Sequence, residues 1–181
     1  MFDCSSSRGT AGKATMKRIS KPVASQLTAA IIALSVGAAV YLFDRQVDHV
    51  YLMAPWMTLG DHSSSIFGAL GNCLPAFTHV YVFILLTAAL AAPTLRSALV
   101  ICLFWSVIDI AFELGQLTVV ARQISALIPA WFGAVPVLEN TSRYFLSGTF
   151  DVLDVISIAA GALAAYLTIL FSLRRTSQHV S

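Results

Sequence analysis

The chain has 181 residues, of which 57% are hydrophobic and 11% charged, with a formal net charge of +2. That charged fraction is about half of what a soluble domain uses to cover its surface, which argues against a soluble globular fold. The net charge is also too small to suggest a nucleic-acid partner or an acidic tail, so the informative quantity is where the charges lie.

Residues 1–22 are polar and basic, with Arg8, Lys13, Lys17, Arg18 and Lys21 set against Asp3, and with Ser, Gly and Thr filling much of the rest. They are expected to form a disordered basic cytoplasmic tail. Met16 opens "MKRISKP", a usual beginning for a membrane protein, so residues 1–15 belong either to this tail or to a start-site artefact.

Four apolar segments follow, near 23–43, 74–92, 97–115 and 152–172. Each has about the length needed to cross ~30 Å of hydrocarbon at ~1.5 Å per residue. Backbone groups in lipid must bond within their own segment, so these are helices. The expected fold is an all-α polytopic membrane helix bundle of about four transmembrane helices over 23–172, followed by a short tail at 173–181. The first segment reads as an uncleaved signal-anchor, because its basic region is long and Asp44-Arg45 closes it without a cleavage site.

Lys and Arg are distributed unevenly around these spans. The tail, Arg96 between the second and third spans, and Arg174 and Arg175 at the end place eight on one side; Arg45, Arg122 and Arg143 place three on the other. The positive-inside rule then puts both termini in the cytoplasm. The two outer loops contain shorter apolar stretches, "VYLMAPWMTL" at 50–59 and "ISALIPAWFGAVPVL" at 124–138. Their prolines keep them from spanning, and Tyr51, Trp56 and Trp131 suit the membrane–water interface, so both stretches are expected on the outer surface or dipping into it.

The third span carries Asp109 and Glu113 four residues apart, hence on one face about 6 Å apart along the axis, with Cys102, Trp105 and Gln116 continuing the stripe. An ionised carboxylate in a helix core costs about 2.5–3.5 kcal/mol on insertion scales, so such residues face the protein interior and mark sites. At the start of the fourth span Asp151 and Asp154 share a face. Asp151 is equally explained as a helix cap, whereas Asp154 lies a turn deeper. Below them Ser157, Gly161 and Ala165 repeat at four-residue spacing, the small-residue pattern of close helix packing in lipid. His79, about a turn inside the second span, is by itself more readily a packing residue than a ligand.

Topology brings these parts together: His79, Asp109, Glu113 and Asp154 all fall at similar depth in the outer leaflet, and form one expected cluster. Several carboxylates in a low-dielectric site need protons, a cation or basic side chains to balance them, and Arg122 and Arg143 are the available partners. The set would also suit a divalent metal, although no HExxH or comparable spacing supports it, and no cofactor is expected. The acid–histidine pairs Asp48-His49 and Asp61-His62 read as solvated turn residues. Cys4, Cys73 and Cys102 show no pairing or metal-binding pattern.

"FELGQL" at 112–117 followed by "GTFDVLDVISIAAGALAAY" at 148–166 resembles the signature of the VanZ-like membrane family: Glu-x-x-Gln on one helix, then a Thr-Phe-Asp-x-x-Asp entry to the last helix with a following glycine. "LPAFTHVYVFILLTAAL" at 74–90 resembles the earlier helix of that family, and the similarity covers about 74–170. The resemblance implies that His79, Glu113, Gln116, Asp151 and Asp154 are the functional polar positions, with Gly161 as the packing glycine. It also implies a bacterial cytoplasmic (inner) membrane location and cell-envelope biology, the family being similar to the teicoplanin-resistance protein. This chain departs from the pattern: Gly148 stands where an arginine is usual, Ile158 where an asparagine is usual, and the loop from Gln116 to Thr149 is longer.

Three functions are compatible with these features. One is an envelope protein whose cluster binds or helps modify a lipid headgroup, envelope precursor or glycopeptide. Another is a membrane enzyme with Asp or Glu as base and His79 as its acid–base partner. The third is a structural subunit whose polar residues specify packing. A transport pathway would require oligomerisation, which is left open. The topology itself is testable by cysteine labelling of intact cells in a background lacking the native cysteines. Gly60→Cys is expected to react with an impermeant reagent and Gln178→Cys to be protected; the reverse pattern would invert the orientation.

Overall fold

The computed structural model describes residues 21–44, 66–91, 94–136 and 138–177. Cys4, Arg45, the 50–59 stretch, Asp48-His49 and Asp61-His62 lie outside the described residues, as does all but the end of the basic tail. The described chain is all-α. Its elements are α1 (Lys21–Asp44), α2 (Leu70–Ala91), α3 (Leu95–Gly115), α4 (Thr118–Leu127), two short 3₁₀ turns (Ala130–Ala134 and Leu138–Asn140), α5 (Thr141–Ser147) and α6 (Val152–Ser177). No strand occurs among the described residues.

Four of these helices are long and apolar enough to cross a membrane: Pro22–Asp44, Leu70–Ala91, Leu95–Gly115 and Val152–Arg174. The chain is thus a multi-pass membrane protein whose spans are those expected, with shifted ends. α2 starts four residues before the expected 74, with Pro75 inside its second turn. Proline tolerates an early helical position better than a central one, because few intrahelical bonds are lost there. α3 starts before its charged Arg96 because Thr94 and Ser97 form a reciprocal capping box, with Thr94 Oγ1 accepting from the Ser97 N–H at 3.4 Å and Ser97 Oγ accepting from the Thr94 N–H at 2.9 Å.

The spans pack as a rhombus. α2 and α6 form the central pair, and each also packs against α1 and α3, which sit at the outer corners. α1 and α3 run one way, α2 and α6 the other. The start of α1 and the end of α6 therefore lie at one end of the bundle, where Gln26 Nε2 donates to Ser172 Oγ at 3.0 Å in a buried contact. At the opposite end, Asp44 accepts from the Ile66 and Phe67 N–H groups at 2.8 and 2.9 Å, tying the entry of α2 to the exit of α1.

Between apolar helices in lipid there is no hydrophobic driving force, so van der Waals contact and interhelical hydrogen bonds hold the bundle. The backbones approach most closely at glycines. A Cβ on Gly161 of α6 would stand 2.6 Å from both the Phe77 carbonyl oxygen and Val80 Cγ1 of α2, and one on Gly37 of α1 would stand 2.7 Å from Thr78 Oγ1. Gly161 and Ala165 of the small-residue stripe are buried, in line with Ile158, Ala162 and Ile169. The bundle's outside is apolar: Ile31, Leu90, Val107 and Leu163 are all exposed, as lipid contact requires. Gly161→Ala is expected to lower the thermal stability of the purified protein by about 1–3 kcal/mol, because a backbone carbonyl cannot move aside as a side chain can. Gly133→Ala, where a Cβ meets nothing within 4 Å, serves as the neutral control. An unchanged midpoint for Gly161→Ala would show that this contact does not set the α2–α6 distance.

Candidate functional site

Asp109 and Glu113 lie on the inner face of α3, each 7% exposed, in one stripe with buried Ala98 and Cys102 and half-buried Trp105. The four-residue spacing thus does what it was expected to do. The surroundings of the two acids differ, and the site has two tiers separated by about one helical turn, ~6 Å.

The deeper tier is a pair across the α2–α3 seam. His79 Nδ1 lies 3.1 Å from Asp109 Oδ2, with the His79 side chain 54% exposed and that of Asp109 6% exposed. His79 belongs to the outward stripe of α2, together with Asn72, Phe83 and Leu90. A polar ring on an apolar outer surface is costly unless paired, and Asp109 supplies the pairing. The seam continues one turn at a time away from this pair. The His79 and Phe83 rings are 4.5 Å apart, those of Phe83 and Trp105 4.7 Å, and Trp105 Nε1 donates to Thr87 Oγ1 at 2.9 Å.

The shallower tier gathers at the entry to α6. Glu113 Oε1 accepts from the Asp151 backbone N–H at 2.8 Å. Asp151 turns its own carboxylate onto α6, where Oδ1 accepts from the Leu153 N–H at 2.8 Å, so the helix-cap role left open by the sequence is realised. The carboxylates of Asp151 and Asp154 both lie within Coulombic range of Glu113. Gln116, half-buried, donates through Nε2 to the Tyr144 hydroxyl at 3.1 Å. Its side chain also occupies the space beside Gly148: a Cβ there would stand 2.7 Å from Gln116 Cδ and closer still to Oε1. Any larger residue at position 148 must displace Gln116. Ile158 is 2% exposed in the apolar core.

Neither arginine balances these acids. Arg143 is exposed and its Nη2 donates to Asn140 Oδ1 at 2.9 Å, while Arg122 is exposed on α4. Among the described residues no group of three or more His, Cys, Asp or Glu could hold a metal ion.

Tyr144, in α5, is the site residue that the sequence reading missed. Burial raises the pKa of its phenol; the Gln116 hydrogen bond opposes the shift, and Tyr41, Glu113 and Asp109 add to it. Its hydroxyl is thus within Coulombic range of acids of both tiers. Twenty-eight residues separate it from Gln116, and nothing in the local pattern around Arg143-Tyr144-Phe145 announces the contact. No protein-family model, curated protein or solved structure matches the chain.

The cap can be separated from the charge at Asp151. Asp151→Asn keeps an oxygen for the Leu153 N–H and is expected to leave stability near wild type, whereas Asp151→Ala is expected to lose about 1 kcal/mol. Thermal unfolding of the two variants side by side checks this, and equal losses would mean that charge, not capping, is what Asp151 contributes to the fold.

Proposed function

We propose that this chain is a VanZ-like protein of the bacterial cell envelope, seated in the cytoplasmic (inner) membrane with the acidic end of the bundle facing outward. In this reading the cluster of His79, Asp109, Glu113, Gln116, Asp151 and Asp154 binds, or helps modify, a cationic or hydroxylated envelope component such as a lipid headgroup or precursor. Altered glycopeptide susceptibility is its expected cellular consequence.

The observation that carries the proposal is the state of Glu113. It is buried at the end of a membrane span, faces Asp151 and Asp154, and its hydrogen-bond donor is a neutral backbone N–H. Burying a charge without a paired opposite charge is expensive, and among the described residues no basic side chain pairs with Glu113, so a proton or a positively charged group, such as one carried by a ligand, is the expected balance. The open side of the tier lies at exposed Asp151, at the bundle end, which is where such a group would enter.

A second reading has its own observation in favour. Glu113 holds the Asp151 N–H and Gln116 holds Tyr144, so the same residues fasten α5 and the start of α6 to α3. That is what packing residues of a structural subunit would do.

Glu113→Gln and Asp154→Asn decide between the two readings, because each keeps size and hydrogen-bonding capacity while removing charge. Each variant is expected to accumulate in the membrane at near-normal levels and to lose the envelope phenotype, with the double variant no worse than either single one, as for residues acting in one unit. Retention of the phenotype in both single variants, or a loss accounted for by reduced abundance, would establish the structural reading instead.

A further inference from the structure

α4 follows α3 after Gln116 and Leu117 alone, and α5 ends with residues 148–151 left before α6. Both helices are therefore tethered at the level where spans end. α4 does not project away from that level. Ile124 Cδ1, from the middle of α4, lies 3.4 Å from where a Cβ on Gly115 would stand, and Phe145 Cε1 of α5 lies 2.6 Å from the same point. The hydroxyls of Ser125 and Ser142 bond α4 to α5. The two helices thus lie back across the end of α3.

At about 100° per residue, Ala126, Val119, Leu127, Val120, Ile124 and Ala121 of α4 make one apolar arc interrupted by Gln123, and Ser125, Thr118 and Arg122 form the opposite polar strip. The protein covers one edge of the arc, with Ala121 only 2% exposed. The other edge is uncovered: Val119 is 70% exposed and Leu127 81%. Trp131, in the following 3₁₀ turn, is 59% exposed. The uncovered edge belongs to a helix joined to α3 by two residues; the last turn of α3 also exposes Phe112 and Leu114, and Leu117 between the two helices is exposed as well.

We infer that α4 and Trp131 lie in the interfacial layer of the same bilayer that surrounds the spans, as an in-plane anchor at the acidic end of the bundle. The two-residue link to a membrane span, with Ile124 folded back onto Gly115, holds the uncovered arc at the level where that span leaves the bilayer and identifies the occupant as lipid. The three sides of α4 match the three media there. Val120, Ala121 and Ile124 face protein, Val119, Ala126 and Leu127 face the acyl boundary, and Arg122 reaches the headgroup phosphates, to which a guanidinium on a long apolar stem is suited. A tryptophan at the same level is the usual marker of that layer. Arg122 thereby has a partner other than the acids of the cluster, and the inference stands independently of what the cluster binds.

Trp131 reports the position directly. The full chain carrying Trp56→Phe and Trp105→Phe is reconstituted into phosphatidylcholine–phosphatidylglycerol vesicles containing lipids doxyl-labelled at carbon 5 or carbon 12 of the acyl chain. Carbon-5 label is expected to quench Trp131 at least about twofold more than carbon-12 label, with little quenching by aqueous acrylamide. The reverse order of the two labels, quenching by acrylamide alone, or protection from every quencher would each overturn the inference, in favour of a re-entrant segment, a water-exposed loop or a protein-covered surface respectively. Because Trp105 bonds to Thr87 across the α2–α3 seam, a second measurement keeps all three tryptophans. A nitroxide on Leu127→Cys, with the native cysteines replaced, should collide more often with oxygen than with a water-soluble nickel chelate. Preference for the chelate would likewise overturn it.

Discussion

The contact of Gly161 with the Phe77 carbonyl and Val80 sets the distance between α2 and α6, and these two spans each pack against both of the others. Helices in lipid gain nothing from leaving water, so the bundle depends on how closely its backbones approach and on the polar bonds this proximity permits. A residue with a side chain at this point would push α2 and α6 apart. α1 and α3 rest on both members of the pair and would lose one support or the other. The register of α3 against α2, which puts Asp109 beside His79 and Trp105 beside Thr87, depends on the same frame.

Most polar residues within this frame are placed beside a polar neighbour, the exception among the described residues being Gln26 Oε1, which is buried without a hydrogen-bond partner. Asp109 has His79, Glu113 has the Asp151 N–H, Gln116 has Tyr144, and Tyr81 has Thr168 at 3.0 Å. Most of these contacts are neutral or internally balanced. Glu113 stands apart, because its donor is neutral while the charged groups around it among the described residues are acids. The hydrogen bond that fastens the α5–α6 connection also fixes where this carboxyl group sits at the bundle end.

The α4–α5 segment shows how a long connection between two spans becomes part of the architecture. A chain leaving a span at the membrane surface and returning to it nearby can remain there if one face fits protein and another fits lipid. α4 has such a division of faces, and its Ser125–Ser142 bond and the Phe145 contact with Gly115 hold it against α3. The same segment carries Tyr144 to Gln116, so the loop held against α3 also supplies a hydrogen-bond partner at the end of that span.

The sequence alone determined the four spans, their helical nature, the shared face of Asp109 and Glu113 and the packing role of Gly161 and Ala165. All of these follow from rules that act within one segment: apolar length against hydrocarbon thickness, internal bonding of the backbone, and the 3.6-residue period. It also supplied both readings of Asp151 without choosing between them, because whether a carboxylate caps its own helix or faces a partner depends on where the preceding chain comes from. Only the tertiary structure decided that His79 pairs with Asp109 while Glu113 sits a turn away with Asp151, that Gln116 fills the space beside Gly148, that Arg143 turns to Asn140, and that Tyr144 joins the cluster. Each of these depends on the rotation and relative height of two helices. Those quantities are set by the sum of many weak contacts across an interface, and no periodicity within a single segment encodes them.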